Sequence, residues 1–352
     1  MDDVKREKAA RVQSFALEGR TNERRKSGVC LHPMPDGSSC DGKVTAAHTV
    51  QRAGGLKAIS DEAGKVLTVV PNLAEMIRTQ GNPKPRLITT KEASTFPGFC
   101  NKHDGIFADI ETTEFSIDDR LAFLFAYRSI CSEAFRKDVE NEFVEDAIKT
   151  IVFDSPLAEQ AGRKLMNAHK FGAAHGQKEL QQFRSRFDKA LLKEDWDFID
   201  WMTVEFDGML PLVASTSFIP EYDFAGAKLQ ELLDFKTPVE PVTYNLVVHE
   251  GKSIAVFAWP KASGGAPTKF VDSFLADVPD DQKANAIICS TFEACENLFI
   301  HPDWWEGRTD FQKEMLLQRT KSGTPAKGRS AGAFRDYGRA YSLARPVRIK
   351  RK

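Results

Sequence analysis

The longest helical pattern in the chain begins at residue 116. Apolar side chains recur there at the spacing of a helix with one buried face. The positions on this face are Leu121, Leu124, Phe125, Tyr127 and Ile130. Ser116 precedes them and is expected to cap the helix. Because the spacing continues with interruptions to about residue 206, it predicts a layer of helices over 116–206.

Beyond this layer, apolar and polar residues alternate, which is typical of half-buried strands. The stretch VTYNLVVHEGKSIAVFAWP alternates on both sides of Glu250 and Gly251, so it predicts a hairpin whose turn contains the glycine. LPLVASTSFI and ANAIICS are further strand candidates, while TFEACENLF and RTDFQKEMLLQR have helical spacing. The C-terminal half is therefore predicted to be α+β with antiparallel strands.

The segment before the helical layer has a different composition. Residues 28–111 are rich in Gly, Pro and Ser and hold three of the six cysteines and three of the seven histidines. A small loop-rich unit of this kind needs a staple such as a metal ion. The patterns divide the chain into four parts: a charged N-terminal helix or arm (1–27), a zinc domain (28–115), a helical and α+β domain (116–320) and a basic tail (321–352).

Composition and charge narrow the class of protein. The chain has 352 residues with 49 Lys and Arg against 50 Asp and Glu, so its net charge does not itself point to nucleic acid. It has no N-terminal apolar run typical of a secretory signal and no apolar stretch of about 20 residues. A cytoplasmic protein without membrane contact is expected. Cys131, Cys289 and Cys295 have apolar neighbours and are interpreted as core thiols.

The charge is distributed unevenly, because 321–352 contains ten Lys and Arg against the single acid Asp336. Phe334, Tyr337 and Tyr341 lie between these cations and are expected to stack on bases while the cations meet phosphates. The alternative is a solubilising tail that packs partly on its own protein. The cations predicted to contact nucleic acid are Arg329, Arg335, Arg339, Arg345, Arg348, Lys350, Arg351 and Lys352.

Two pairs of residues predict a structural zinc site. Structural zinc takes four ligands, commonly thiolate and imidazole, as pairs from two separate loops. Cys100 and His103 form one pair in FCNKHDGIF, and Cys30 and Cys40 form the other in VCLHPMPDGSSCDGK. His32 is interpreted as a loop residue, and the alternative for the cysteines is that they are ordinary buried thiols.

These pairs and the stretch between them resemble a known family. After the first cysteine pair comes VTAAHTVQRAGGL, a predicted strand that ends in Ala-Ala-His-Thr and leads into a Gly-rich turn; Cys-x-x-His at a helix start follows later. This order is similar to the zinc-fastened ββα-metal, or treble-clef, fold of HNH endonucleases. The resemblance covers about a quarter of the chain.

The resemblance implies a role for each matching residue. Cys30, Cys40, Cys100 and His103 would hold structural zinc, His48 would activate water as general base, and Asp104 would bind a catalytic Mg2+ or Mn2+ ion.

The sequence departs from the family pattern at the metal-binding positions. Ala47 stands where many members have a second metal-binding Asp or His, and Asp104 replaces a histidine. Glu111 is a further oxygen donor on the face of Asp104, or a solvated helix acid. For Asp104 itself, the alternative is an acid favoured by the dipole at a helix N-terminus.

The sequence thus predicts a metal-dependent endonuclease that cleaves DNA, with RNA as the second choice of substrate, and bacterial antiphage defence is expected by analogy only. Two alternatives stay open. One is a non-catalytic zinc-stabilised protein that binds nucleic acid. The other is an assembly protein with a structural zinc domain, whose protein partner would bind to the C-terminal sheet.

Overall fold

The structure is a computed structural model of the chain. It describes residues 23, 28–69, 79, 82–111, 116–150, 156–232, 234, 236–261, 265–322, 329–335 and 340–352. The predicted N-terminal arm lies outside this part of the chain apart from Glu23 and therefore stays a prediction.

Antiparallel strands form the centre of the molecule. The strands of the described residues are β1 (Val44–His48), β2 (Lys65–Thr68), β3 (Arg86–Thr89), β4 (Thr95–Cys100), β5 (Ile199–Phe206), β6 (Leu212–Phe218), β7 (Val242–His249), β8 (Lys252–Pro260), β9 (Leu298–Ile300) and β10 (Pro346–Arg351). Eight of them make one sheet in the order β10-β5-β8-β7-β6-β9-β2-β3, while β1 and β4 pair separately. The mixed α+β class with antiparallel sheets is confirmed.

Helices cover both faces of the main sheet. They are α1 (Asn101–Asp104), α2 (Asp119–Thr150), α3 (Pro156–Leu192), α4 (Ala266–Asp277), α5 (Lys283–Ala294), α6 (Pro302–Glu306) and α7 (Asp310–Arg319). A 3-10 turn, Gly105–Glu111, continues α1. On one face, Tyr127 of α2 and Phe187 of α3 share a core with Trp201 of β5. On the other face, Phe270 of α4 and Ile287 of α5 share a second core with Met202 and Val204 of β5.

The predicted hairpin is confirmed. Strands β7 and β8 pair antiparallel up to His249 and Lys252, leaving Glu250 and Gly251 as a two-residue turn. Both turn residues have positive φ, 50° and 74°. Such a turn matches the right-handed twist of the strands it joins.

Several predicted elements are wrong, for reasons of burial. The helical pattern ends at Leu192, and 199–206 is strand β5, whose side chains are buried on both faces so that alternation disappears. ANAIICS lies within α5, a helix that is buried all round and therefore lacks a polar stripe. TFEACENLF contains the end of α5 and the start of β9.

The start of α2 also differs from the prediction. The Oδ1 atom of Asp118 accepts a hydrogen bond from the backbone N–H of Leu121 at 2.8 Å, so Asp118 rather than Ser116 caps the helix.

The predicted division after residue 115 does not separate two cores. Strands β2 and β3 come from between His48 and Cys100, yet they extend the main sheet through the pairing of β2 with β9. Phe99 and Phe107 share a buried cluster with Tyr127 of α2 and with strand residues of the main sheet. The cysteine-containing segment and the rest of the chain therefore pack as one structure.

The C-terminal segment is part of the fold. Residues 346–351 form β10, an edge strand paired with β5. Phe334 is 1% exposed and Tyr341 is 5% exposed, and both belong to the core beneath α4 and α5. The prediction that these two rings stack on bases is wrong, because both rings are already buried in the protein's own core. Tyr337 lies outside the described residues.

Candidate functional site

The predicted zinc ligands lie around the separate strand pair. Strand β1 runs antiparallel to β4, with Val44 opposite Cys100 and His48 opposite Thr95. Because α1 begins directly after Cys100, one helical turn brings His103 back beside it. Cys30 and Cys40 face each other across an isolated antiparallel bridge.

The four ligand atoms fit a tetrahedral metal site. The Sγ atoms of Cys30, Cys40 and Cys100 and a ring nitrogen of His103 all lie within 4.8 Å of one another. The Cys40 and Cys100 sulfurs are 3.9 Å apart, and Nδ1 of His103 is 3.4 Å from the Cys30 sulfur and 3.5 Å from the Cys100 sulfur. Zinc with bonds of about 2.3 Å to sulfur and about 2.0 Å to nitrogen requires edges of about 3.8 Å and 3.5 Å. The cluster can therefore hold a metal ion such as zinc.

Two neighbours of the cluster support its geometry. The backbone N–H of Gly42 donates to the Cys40 sulfur at 3.3 Å. A Cβ atom at Gly42 would lie 2.8 Å from the Cys100 sulfur, so a larger residue would push into the cluster. The ring of His32 stacks on the ring of His103 with centroids 4.0 Å apart. Within the part of the chain that the structure describes, His32 is not among the cluster's ligands.

His48 lies at the end of β1, outside the cysteine cluster. Burial lowers the pKa of His48 below its usual value, and the nearby backbone of Thr90 acts against this fall. Its Nε2 atom is buried and has no hydrogen-bond partner among the described residues. Burial therefore favours the neutral ring, which carries a lone pair on one of its two nitrogens.

Asp104 is the last residue of α1 and lies next to the metal ligand His103 in sequence. Its Oδ1 atom is buried without a hydrogen-bond partner among the described residues. Burial raises the pKa of Asp104, and the positive charges of Arg128 and His48 act against this rise. His48 and Asp104 are thus close enough to influence each other's charge.

Arg128 is a site residue that the sequence reasoning missed. Its side chain is 2% exposed, and its Nη2 atom donates to Oε1 of Glu111 at 2.6 Å. The guanidinium lies over the ring of Phe107 at 4.6 Å, and its Nε atom is buried without a partner in the described residues. The sequence did carry one signal for a buried cation at this position. Arg128 is the single cation in the apolar run FLFAYRSICSEAF.

Glu111 is an ion-pair partner of Arg128 in this structure. Its side chain is 45% exposed and its Oε1 atom pairs with Arg128, so it is not a wholly solvated acid. Its backbone carbonyl also accepts a hydrogen bond from the side-chain amide of Gln51.

The surroundings of Asp104 do not fit tight binding of Mg2+ or Mn2+. Such ions prefer several oxygen ligands. Asp104 offers a carboxylate, but Glu111 is paired with Arg128 and Ala47 has no donor side chain. Among the described residues, the cysteine cluster is the sole group of three or more metal-binding side chains. In addition, the positive charge of Arg128 acts to lower the pKa of Asp104, against the effect of burial.

The cations that were predicted to contact nucleic acid differ from one another in their surroundings. Arg351 pairs with Asp272, Lys352 with Asp119 at 2.6 Å, and Arg329 lies 3.7 Å from Glu293. These three cations already have acidic partners within the protein itself. Arg339 lies outside the described residues, and the remaining predicted contacts are exposed or half-buried: Arg335, Arg345, Arg348 and Lys350.

The chain matches no protein-family model, no curated protein and no solved structure. Across the described ranges, no helix combines the length and the apolar character needed to cross a membrane.

Proposed function

We propose that this protein is a zinc-stabilised, HNH-like nuclease that cleaves phosphodiester bonds in nucleic acid, with His48 as general base. The observation that supports this most directly is the state of the His48 ring. Burial favours the neutral ring by lowering its pKa, its Nε2 has no hydrogen-bond partner among the described residues, and the charge of Asp104 acts on the ring. DNA as the preferred substrate and a role in antiphage defence are carried over from the resemblance.

The residues have distinct parts in this proposal. Nε2 of His48 takes a proton from the attacking water, and the negative charge of Asp104 stabilises the imidazolium that results. The departing oxygen of the nucleic acid takes up a proton from solvent. Zinc, when bound, fastens the Cys30–Cys40 loop to Cys100 and His103, which steadies β4 and its partner β1. No step of this chemistry requires zinc to touch the substrate.

The test is a cleavage assay with zinc-loaded protein. Supercoiled plasmid, single-stranded DNA and RNA are each incubated without added ions, with Mg2+ and with Mn2+. We expect cleavage of at least one substrate, and we expect His48→Ala to lower it by roughly 100 to 10,000-fold, the usual contribution of a positioned base. His301→Ala serves as the matched control, because His301 caps the distant helix α6. Protein with full zinc that cuts none of the three substrates would overturn the proposal.

A second candidate function rests on a specific observation. Nε2 of His48 and Oδ1 of Asp104 both face the protein interior, so water has to enter before His48 can act. This favours a non-catalytic zinc-stabilised protein that binds nucleic acid. A gel shift of DNA or RNA without cleavage under any of the three ion conditions would support this second function.

A further inference from the structure

A polar recess opens at the edge of the main sheet where β10 pairs with β5. It is lined by side chains of β5, β8 and β10, by the β7–β8 turn and by the residues just before α2. Its volume is about 240 Å3. Sites for drug-sized ligands usually measure about 300 to 1,000 Å3 and have mostly apolar walls. The recess therefore suits a small charged group rather than a large apolar ligand.

The strand register brings three cations to the recess side of β10. Arg348 lies opposite Glu205 of β5, and both side chains line the recess. Because side chains alternate between the two faces of a strand, Arg348, Lys350 and Lys352 share one face. This face is the side of the sheet that α2 covers, since Lys352 contacts Asp119 at the start of that helix.

These three cations differ in their partners. Lys352 is held between two aspartates, at 2.6 Å and 3.0 Å. Nζ of Lys350 donates to the Ser116 hydroxyl at 3.1 Å, which leaves its charge without an acidic partner among the described residues. Arg348 has neither an ion pair nor a hydrogen bond through its side chain in the part of the chain that the structure describes. Two neighbouring cations in the recess are therefore left without a carboxylate.

The carboxylates of the recess do not pair with these two cations. Glu205 forms an ion pair with Lys252 of β8 at 3.0 Å, although it lies opposite Arg348. Glu250 belongs to the β7–β8 turn, where it is exposed and has no ion-pair partner among the described residues. The side chains of the recess thus carry three positive charges against two negative ones. His249 also lines the recess and adds positive charge when it is protonated.

We propose that this recess binds a phosphate monoester, the group found at the end of a 5′-phosphorylated nucleic-acid strand and in a free nucleotide. A monoester has up to two negative charges, which match those of Arg348 and Lys350, and three oxygens that accept hydrogen bonds. The Arg348 fork, Nζ of Lys350 and the Ser116 hydroxyl supply the donors. A carboxylate or an internal phosphodiester has one charge and leaves one of the two cations uncompensated.

The proposal does not rest on the nuclease function, because His48 takes no part in it. The test is the binding of adenosine 5′-monophosphate to zinc-loaded protein, measured by isothermal titration calorimetry without added divalent ions. Inorganic phosphate and adenosine are titrated at the same ionic strength. We expect the monophosphate and inorganic phosphate to bind, and adenosine, which has no phosphate, not to bind. Wild-type protein that binds neither phosphate compound would overturn the proposal.

Substitutions in the recess should weaken this binding. We expect Arg348→Gln and Lys350→Gln each to lower the affinity for the monophosphate by about tenfold or more, the usual worth of a hydrogen bond to a charged group. Arg345→Gln is the matched control, because Arg345 is exposed three positions before Arg348 and lies outside the recess. It removes the same charge and should leave the affinity unchanged.

Equal weakening by Arg345→Gln and Arg348→Gln would show a general attraction to positive charge and would contradict the proposal. Melting temperatures confirm that the variants are folded. Should Arg348→Gln fail to fold, the comparison of Lys350→Gln with Arg345→Gln decides the question.

Competition separates the two sources of the phosphate. A short single-stranded DNA is added to the monophosphate complex in two forms, with a 5′-phosphate and with a 5′-hydroxyl. Displacement by the phosphorylated form alone identifies a strand end as a ligand, and displacement by neither form identifies a free nucleotide. Equal displacement by both forms would show that internal phosphodiesters suffice, which would overturn the assignment to a monoester.

Discussion

At the scale of single residues, the protonation state of the buried His48 ring decides whether it can act as a base. Nε2 has no hydrogen-bond partner among the described residues, so in the tautomer that carries its proton on Nδ1 the ring presents a free lone pair, the form that a general base requires. Burial disfavours the charged ring and so extends this neutral form to lower pH. The neutral ring is therefore available as a base at neutral pH, although the same burial disfavours the imidazolium that forms when it accepts a proton.

The pH dependence of cleavage should reflect the protonation state of the His48 ring. Since burial lowers the pKa of His48 below 6.5, the base form dominates at neutral pH. We expect the rate to be constant near pH 7 to 8 and to fall to half at a pH below 6.5. Initial rates measured across this range, with zinc content checked at each pH, provide the test. A rate that falls as pH rises through 6 to 7 would show that the protonated ring is the active form.

A second residue-scale prediction concerns the metal cluster. Purified protein should contain about one zinc per chain, and Cys100→Ser should lose it. Since binding of structural zinc contributes directly to folding stability, we expect the melting temperature to fall by about 10 °C or more. Cys131→Ala is the matched control, because Cys131 is a buried thiol outside the cluster. It should keep zinc and cost about 1 kcal/mol through lost packing.

Metal analysis of protein purified without chelator decides the zinc assignment. If wild type lacks zinc, or if Cys131→Ala loses as much zinc as Cys100→Ser, the assignment is wrong.

Whether a site residue could be predicted depends on how far apart in sequence its contacts lie. Cys100 and His103 are one helical turn apart, and Cys30 and Cys40 share one loop, so local spacing indicated all four ligands. Arg128 depends on the packing of α2 against the site, a contact 17 residues from Glu111 along the chain. Such contacts leave no periodic signal, which explains why Arg128 was not predicted.

At the scale of elements, a continuous apolar stretch of sequence fits either a buried helix or a buried strand. The β7–β8 hairpin was predictable because its turn carries its own signal, a glycine between two apolar runs. Helix α5 and strand β5 are enclosed by other elements, and their continuous apolar sequences fit either structure. Local sequence therefore identified the hairpin by its turn, whereas α5 and β5 carry no such signal.

The hairpin turn makes an element-scale prediction. Gly251 has a φ of 74° and no atom near the position of an added Cβ, so Gly251→Ala strains the backbone without causing a clash. We expect it to lower the free energy of unfolding by about 1 kcal/mol. Gly172 lies inside α3 with equally open surroundings. There the same substitution should raise stability by about 0.5 to 1 kcal/mol.

Urea unfolding of both variants measures these changes. Equal effects of the same sign at Gly251 and Gly172 would contradict the assignment of a left-handed turn at one position and a helix at the other.

At the scale of the whole molecule, the main sheet joins segments that are distant in sequence. Strands β2 and β3 come from within the cysteine-containing segment, and β10 comes from the basic C-terminal segment. Lys352 also contacts Asp119 at the start of α2. The sequence predicted separate domains because these segments differ in amino-acid composition. Strand pairing joins them in one sheet, and it depends on contacts between residues that are distant in sequence.

Because the basic segment is part of the main sheet, its truncation should lower the stability of the protein. Deleting 340–352 removes strand β10 and the buried Tyr341 ring, so we expect a fall in melting temperature of about 10 °C or more. Weaker nucleic-acid binding by such a truncation would reflect unfolding as well as lost charge. The role of the charges has to be tested in a protein that keeps its fold.

The suitable variant is Arg348→Gln with Lys350→Gln, since both side chains lie on β10 and border a surface pocket with Lys252. It should melt within about 2 °C of wild type, because surface substitutions usually change stability by less than about 0.5 kcal/mol. If both cations contact phosphate, the slope of log affinity against log salt should become shallower by about 2, since each contact releases about 0.9 counterion. Lys164→Gln with Lys178→Gln, two exposed positions on α3, removes the same charge elsewhere. Equal slopes for the two double variants would show that the β10 cations serve solubility rather than recognition of nucleic acid.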